Sequence, residues 1–264
     1  MNVPSSYWGV WQRTLLATRD FVDTSSQVYW LQTSGWHGDI RIPPNRPDFT
    51  GVTSLAACSG EQLSWLAKQQ GFVGITVAAG NRCEWKRAID FQPPSGKRDI
   101  GTMLFVHPNK LLEYGIEDAY GETWERVTDD NSDRCYALQL LDQGEPAEPA
   151  SYLVVSGNHF IYSRNRPVRL PQQPFKSSDQ LQRHPQDVLI QLLDFEISFG
   201  LLHGKNGSWQ ITLSTLPWRE GRSLFAKEPV FTPVNGICQD PCSGKTWRVL
   251  CWNPAYSDQL KLAR

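Results

Sequence analysis

Several segments of this sequence set an aromatic ring or a carboxylate two residues from a charged or amide side chain. The pairs are Trp11 with Arg13, Trp30 with Gln32, Asp39 with Arg41 and Trp85 with Arg87, together with the triplet Glu122, Trp124 and Arg126. In an extended strand a spacing of two places both side chains on one face. If the strands curl into a closed sheet with this face inward, the lumen is walled by indoles and studded with guanidinium and carboxylate groups. An unpaired charge taken out of water costs several kcal/mol. The arginines must therefore pair with Asp39, Glu122 or Glu113, stack on indole faces, or wait for a ligand. The chemistry this implies is recognition of a small, partly apolar anion. Trp11, Trp30, Trp85 and Trp124 would form the walls, and Arg13, Arg41, Arg87 and Arg126 would meet the charge. The bland reading is equally physical: each Trp buries roughly 150 to 250 Å², or about 4 to 6 kcal/mol at ~25 cal/mol per Å², so the same rings can simply fill a core.

Two other functions stay open at this level. A desolvated lumen carboxylate, with Glu122 and Asp39 as candidates, would serve as acid or base in a hydratase- or isomerase-like enzyme. Alternatively, the aromatics pack a solid core and an exposed patch docks a protein partner. The motifs that name a reaction are missing: there is no G-x-S-x-G, H-E-x-x-H or G-x-G-x-x-G. Gly244-Lys245-Thr246 lacks the upstream glycine of a phosphate loop, since Gln239 stands there. Cys238, Cys242 and Cys251 lack paired zinc-ligand spacing, so neither metal nor cofactor is expected. The five histidines are scattered, and His37 reads as a loop residue.

Composition narrows the partners. The 264 residues carry 26 Lys and Arg against 27 Asp and Glu, a formal charge of −1, which argues against nucleic-acid binding over a broad surface. With 40% hydrophobic and 20% charged residues, the chain has the composition of a soluble globular protein. The opening Met1-Asn2-Val3-Pro4 has no secretory pattern, and no apolar run approaches the roughly 20 residues of a membrane span. Reduced thiols and a cytoplasmic location are the expectation.

Period-two alternation broken by turn residues dominates the chain and predicts a mainly β protein. Strand-like runs recur from Tyr7 to Leu16, Gln27 to Thr33, Gly38 to Ile42, Phe72 to Ala79, Arg82 to Phe91 and Ile100 to Val106. They continue from Leu111 to Gly115, Ala119 to Val127, Arg134 to Leu141, Tyr152 to Ser156 and His159 to Arg164. Leu193 to Leu201 alternates into a hairpin with Trp209, Ile211 and Leu213, and Asn235-Gly236 and Thr246 to Trp252 suggest a final strand pair. Ser59-Gly60-Glu61-Gln62 is a capping box that opens a short helix, which Gly71 should end. A second helix opens near Ser177 and breaks or restarts at Pro185. Pro171 to Ser178 reads as a linker, dividing residues 1–170 from a β-rich C-terminal lobe of 171–264, unless that lobe is integral to the same domain. The stretch Val77 to Arg87 resembles Val154 to Arg164, aligning Trp85 with Tyr162 and Arg87 with Arg164.

The segment Gly9-Val10-Trp11 looks like the G-x-W that opens the first strand of lipocalins. With the strand meander that follows, it makes the chain resemble the calycin superfamily, the up-and-down antiparallel β-barrels that include lipocalins and fatty-acid-binding proteins. The resemblance covers about the first 165 residues, and the aligned segments extend it to a tandem of two calycin-like lobes. It implies an internal cavity for a small, largely apolar ligand. It also implies an arginine covering the G-x-W tryptophan, a position the sequence alone leaves unassigned.

Overall fold

A computed structural model describes residues 3–127, 134–170, 184–204, 208–240 and 242–253. The first sheet is built from β1 (Gly9–Thr18), β2 (Val22–Asp23), β3 (Gln27–Gln32), β4 (Trp36–Ile42), β5 (Gln70–Ala79), β6 (Arg82–Asp90), β7 (Ile100–His107), β8 (Lys110–Gly115) and β9 (Tyr120–Arg126). Consecutive strands pair antiparallel, except that β1 pairs with both β2 and β3, and β9 returns to β1. The result is a closed eight-stranded up-and-down barrel with β2 as an appendage, the calycin-like architecture expected. Closure removes the exposed strand edges that an open sheet would carry.

The second sheet uses β10 (Cys135–Asp142), β11 (Glu145–Pro146), β12 (Ser151–Ser156), β13 (His159–Arg164), β14 (Glu196–Leu201), β15 (Gln210–Ser214), β16 (Pro233–Val234), β17 (Ile237–Gln239) and β18 (Thr246–Trp252). Their order is β15-β14-β13-β12-β10-β18-β17-β16, with β11 beside β10, and among the described residues the edges β15 and β16 do not pair. The sheets therefore divide between Arg126 and Cys135, earlier than the linker reading. β13 pairs with β14 across the linker stretch, so both sides of that stretch serve one sheet. Pro171 to Ser178 itself lies outside the described residues, as does the expected helix opening at Ser177.

Helix α1 (Gly60–Leu66) starts on the capping box: Ser59 Oγ accepts from the Gln62 N–H at 3.2 Å, and Gln62 Oε1 accepts from the Ser59 N–H at 2.7 Å. It ends at Leu66, before Gly71, which instead lies in β5. A Cβ there would meet the Asp39 carbonyl oxygen at 2.7 Å, as well as Ile197 Cδ1 at 2.7 Å, so glycine is needed where β5 passes the β4 backbone. Helix α2 (Gln186–Leu193) begins directly after Pro185, and Leu193 closes this helix instead of opening β14. No helix among the described residues is long and apolar enough to cross a membrane.

The lobes share one core. Outward residues of the barrel (Val10, Leu31, Ile40, Val73) pack against Ala137, Val154, Ile161 and Ile197 of the second sheet. Tyr29 stacks on Phe199 with ring centroids 4.5 Å apart and planes 8° apart. Both barrel faces are thus buried on this side, while one further cluster fills the barrel interior and another packs part of the concave side of the second sheet. The late cysteines split between faces: Cys238 lies in the second lobe's concave cluster, Cys251 packs at the lobe interface and Cys242 is exposed.

Candidate functional site

The predicted site residues converge. Trp11, Trp30, Trp85 and Trp124 all belong to the cluster inside the closed barrel, with Trp30 5.7 Å from both Trp85 and Trp124, centroid to centroid. Arg13 meets Glu122 at 2.7 Å and Asp23 at 3.0 Å. Arg41 holds Asp39 at 2.8 Å, and Arg87 bridges Asp90 at 2.5 Å and Asp99 at 2.7 Å while lying 3.8 Å from the Phe72 ring centroid. Arg126 stacks 4.2 Å from the Trp11 ring and donates to the carbonyls of Trp8 and Ser6. An arginine from the strand that closes the barrel thus covers the tryptophan of Gly9-Val10-Trp11.

The guanidinium groups of this lumen are thus already engaged. Of the two carboxylates considered for acid–base chemistry, Glu122 is ion-paired to Arg13 and Asp39 to Arg41. Little room is left as well: the cavity among Trp30, Asp39, Arg41, Trp85 and Glu113 measures about 10 Å³, roughly the space one water needs. Residues the sequence reading used lightly or misplaced stand at its heart. Glu113 accepts from the Tyr120 hydroxyl at 2.7 Å and from Trp124 Nε1 at 3.0 Å. Burial, reinforced by the Glu122 charge, pushes its pKa well above the usual carboxylate range. His37 is a buried strand residue and no loop histidine, because β4 begins at Trp36. Its Nδ1 lies 2.9 Å from Thr76 Oγ1, and burial, with Arg87 and Arg41 nearby, pushes its pKa down to about 3.

Two larger spaces lie outside the lumen. One, of about 820 Å³, opens where β6 runs past its last pairing with β7, beside Asn165 to Leu170. Trp85 and Arg87 reach it, but charged side chains of both signs dominate its wall. The other, of about 610 Å³, lies between the second lobe and the segment of residues 53–56 ahead of α1 and carries four aromatic rings, from Tyr162, Trp218, Phe225 and Trp247, with Ile190 and Leu224. Tyr162 and Arg164 are the residues aligned with Trp85 and Arg87, and both segments are hairpins turning on a glycine of positive φ, Gly80 at 60° and Gly157 at 56°. Arg164 is held by Asp194 at 2.6 Å, and Arg219 by Glu196 at 2.9 Å. Lys245, on the same wall, has no acidic partner among the described residues. Burial, then the nearby Glu196 charge, raises the Tyr162 pKa. The sequence carried one faint signal of this site, the repeat itself. Its other walls come from residues 53–56, 190–196, 216–225 and 245–247, which no local pattern links.

No family model matches the chain, and no curated protein matches it. Two solved structures resemble it. An uncharacterized protein of Saccharomyces cerevisiae, YLR301w, superposes with a TM-score of 0.56 at 13% identity, over 92% of this chain and 98% of that one. The likeness is one of fold, and it runs through both lobes. A lipocalin-like protein from Bacteroides uniformis covers 46% of this chain and 99% of its own at 10% identity, with a TM-score of 0.31.

Proposed function

We propose that this protein is a non-catalytic binding protein that takes a small anion with an aromatic or apolar body, and that it does so in the concavity of the second lobe and not inside the closed barrel. The supporting observation is the contrast in free space and lining. The cavity described inside the barrel holds about 10 Å³ and the arginines around it are engaged, while the second concavity offers about 610 Å³ walled by Tyr162, Trp218, Phe225, Trp247 and aliphatic side chains, with Lys245 lacking an acidic partner among the described residues. Ligand sites combine apolar and aromatic walls with oriented polar groups, and fall in this size range. In this reading the closed barrel is a charge-braced support.

The test is a fluorescence titration with anilinonaphthalene sulfonate, an anionic aromatic probe. Saturable binding that weakens by about tenfold in Lys245→Ala and in Trp218→Ala, with Arg87→Ala unchanged, supports the reading. Loss in Arg87→Ala with no effect of Lys245→Ala would move the ligand to the first barrel's side. No saturable response in the folded protein would end the proposal.

A further inference from the structure

The barrel's outer surface is apolar in two sectors, and among the described residues the second lobe covers only one. The bare sector spans β7, β8, β9, β1 and β2. Strand register lines its outward residues into two rows: Leu104, Leu112, Thr123 and Leu15, then Thr102, Tyr114, Gly121, Ala17 and Val22. None of the nine is charged, and Leu104, Tyr114 and Val22 are 51%, 50% and 65% exposed. The adjoining row carries Lys110 and Glu125, paired within the chain at 3.3 Å. Phe21, Val106 and Ile116 extend the apolar surface at its margins. Together the exposed large side chains present on the order of 500 Å², near the upper range for a monomer's largest patch and most of the ~800 Å² per partner of a standard interface.

The face is self-complementary about one axis. Consider a two-fold axis parallel to the strands and running between β8 and β9. Each β8 residue then faces, on the second copy, the β9 residue it pairs with in its own sheet. Lys110 faces the partner's Glu125, Leu112 faces the partner's Thr123 and Tyr114 faces the partner's Gly121. Opposite charges meet in the first pair, and a large side chain meets a smaller one in the other two. Tyr114 already leans over its own Gly121, where an added Cβ would lie 3.6 Å from the ring. The two rings therefore share a floor that carries no side chain. An axis between β7 and β8 would instead set Leu104 on Leu112, and one between β9 and β1 would leave Lys110 without a carboxylate. We propose that the protein forms a two-fold dimer through this outer face of β7, β8, β9 and β1, with Lys110 against the partner's Glu125 and Tyr114 over the partner's Gly121.

Sedimentation velocity of the full chain, from micromolar to sub-millimolar, tests it. The expected result is a dimer whose dissociation constant rises by at least about tenfold in Tyr114→Asp and in Gly121→Val. Gly121 lies outside the left-handed region, and a Cβ there would meet nothing closer than 3.6 Å, so Gly121→Val keeps the test valid if Tyr114→Asp does not fold. Lys110→Glu should also weaken the dimer, and adding Glu125→Lys should restore it. A wild-type monomer throughout that range overturns the proposal, as does a dimer indifferent to both Gly121→Val and Lys110→Glu.

Discussion

Arg13 and Glu122 stand 109 residues apart in the chain and 2.7 Å apart inside the barrel, where β1 meets the last strand of the sheet. The contact bridges the seam that closes the barrel, and both side chains are nearly out of water, at 6% and 3% exposure. Asp23 takes the second guanidinium nitrogen at 3.0 Å, so the appended β2 completes the pair.

Breaking that pair should cost more than its contact energy, because it strands a buried charge. Glu122→Ala is expected to lower unfolding free energy by about 3 kcal/mol, and Asp23→Ala, at the more open end, by about 1 kcal/mol. Urea denaturation measures both. Equal losses would show that the seam pair has no special weight.

Glu113 gives the barrel a dependence on alkaline drift. Its folded pKa lies above the ordinary 4.5, so the fold binds a proton that the unfolded chain releases. The stability it contributes is fully present below about 4.5 and is lost as pH rises through the higher folded value. Glu113→Gln stays neutral throughout and can still bond Tyr120 and Trp124. The variant should therefore gain on wild type with rising pH by up to about 1.4 kcal/mol per unit. Parallel stability curves for the two proteins would refute this.

His37 acts in the opposite direction. Its folded pKa falls from 6.5 to about 3, so the imidazole is neutral in the fold while the unfolded chain protonates below 6.5. Its contribution is present above 6.5 and is lost as pH falls toward 3, with a slope of up to about 1.4 kcal/mol per pH unit. His37→Gln, which keeps a partner for Thr76, should flatten the acid limb of a thermal-melting series. An unchanged limb would assign acid loss to other groups.

Arg166 ties the lobes. From the segment after β13 it donates to the carbonyls of Leu192 at 2.8 Å and of Asp90 and Phe91 at 3.3 and 2.5 Å, and lies 4.8 Å from the Phe195 ring centroid. Burial lowers its pKa to about 10. Arg166→Met keeps the bulk but leaves these carbonyls short of a donor, a loss of about 2 to 4 kcal/mol. Hydrogen exchange should show the Asp90–Phe91 turn opening first. Uniform deprotection across both sheets would contradict a local clamp.

Much of this architecture could be read from local pattern. Alternation of side chains has a period of two whatever the strand later meets, so the strand segments and the shared face of Trp11, Arg13, Trp30, Trp85, Glu122 and Trp124 were legible. The Ser59 and Gln62 capping box was legible for the same reason, since it is decided within a few residues. His37 was misjudged because its strand starts at Trp36, two residues before the expected Gly38, and buries it.

What tertiary structure alone decided is which sheet each strand joins, and whether the inward face encloses space. β10 to β13 pair with β14 and β18 because their partners lie beyond the linker stretch, a choice no strand makes alone. The volume of the lumen is what remains after rings from eight strands have met. Whether Arg13 and Arg87 find partners depends on Asp23, Glu122, Asp90 and Asp99, which only the folded sheet brings to them. Period and propensity are properties of neighbours in sequence; free volume and charge balance are sums over neighbours in space, and these sums fill the first barrel and leave the second concavity open.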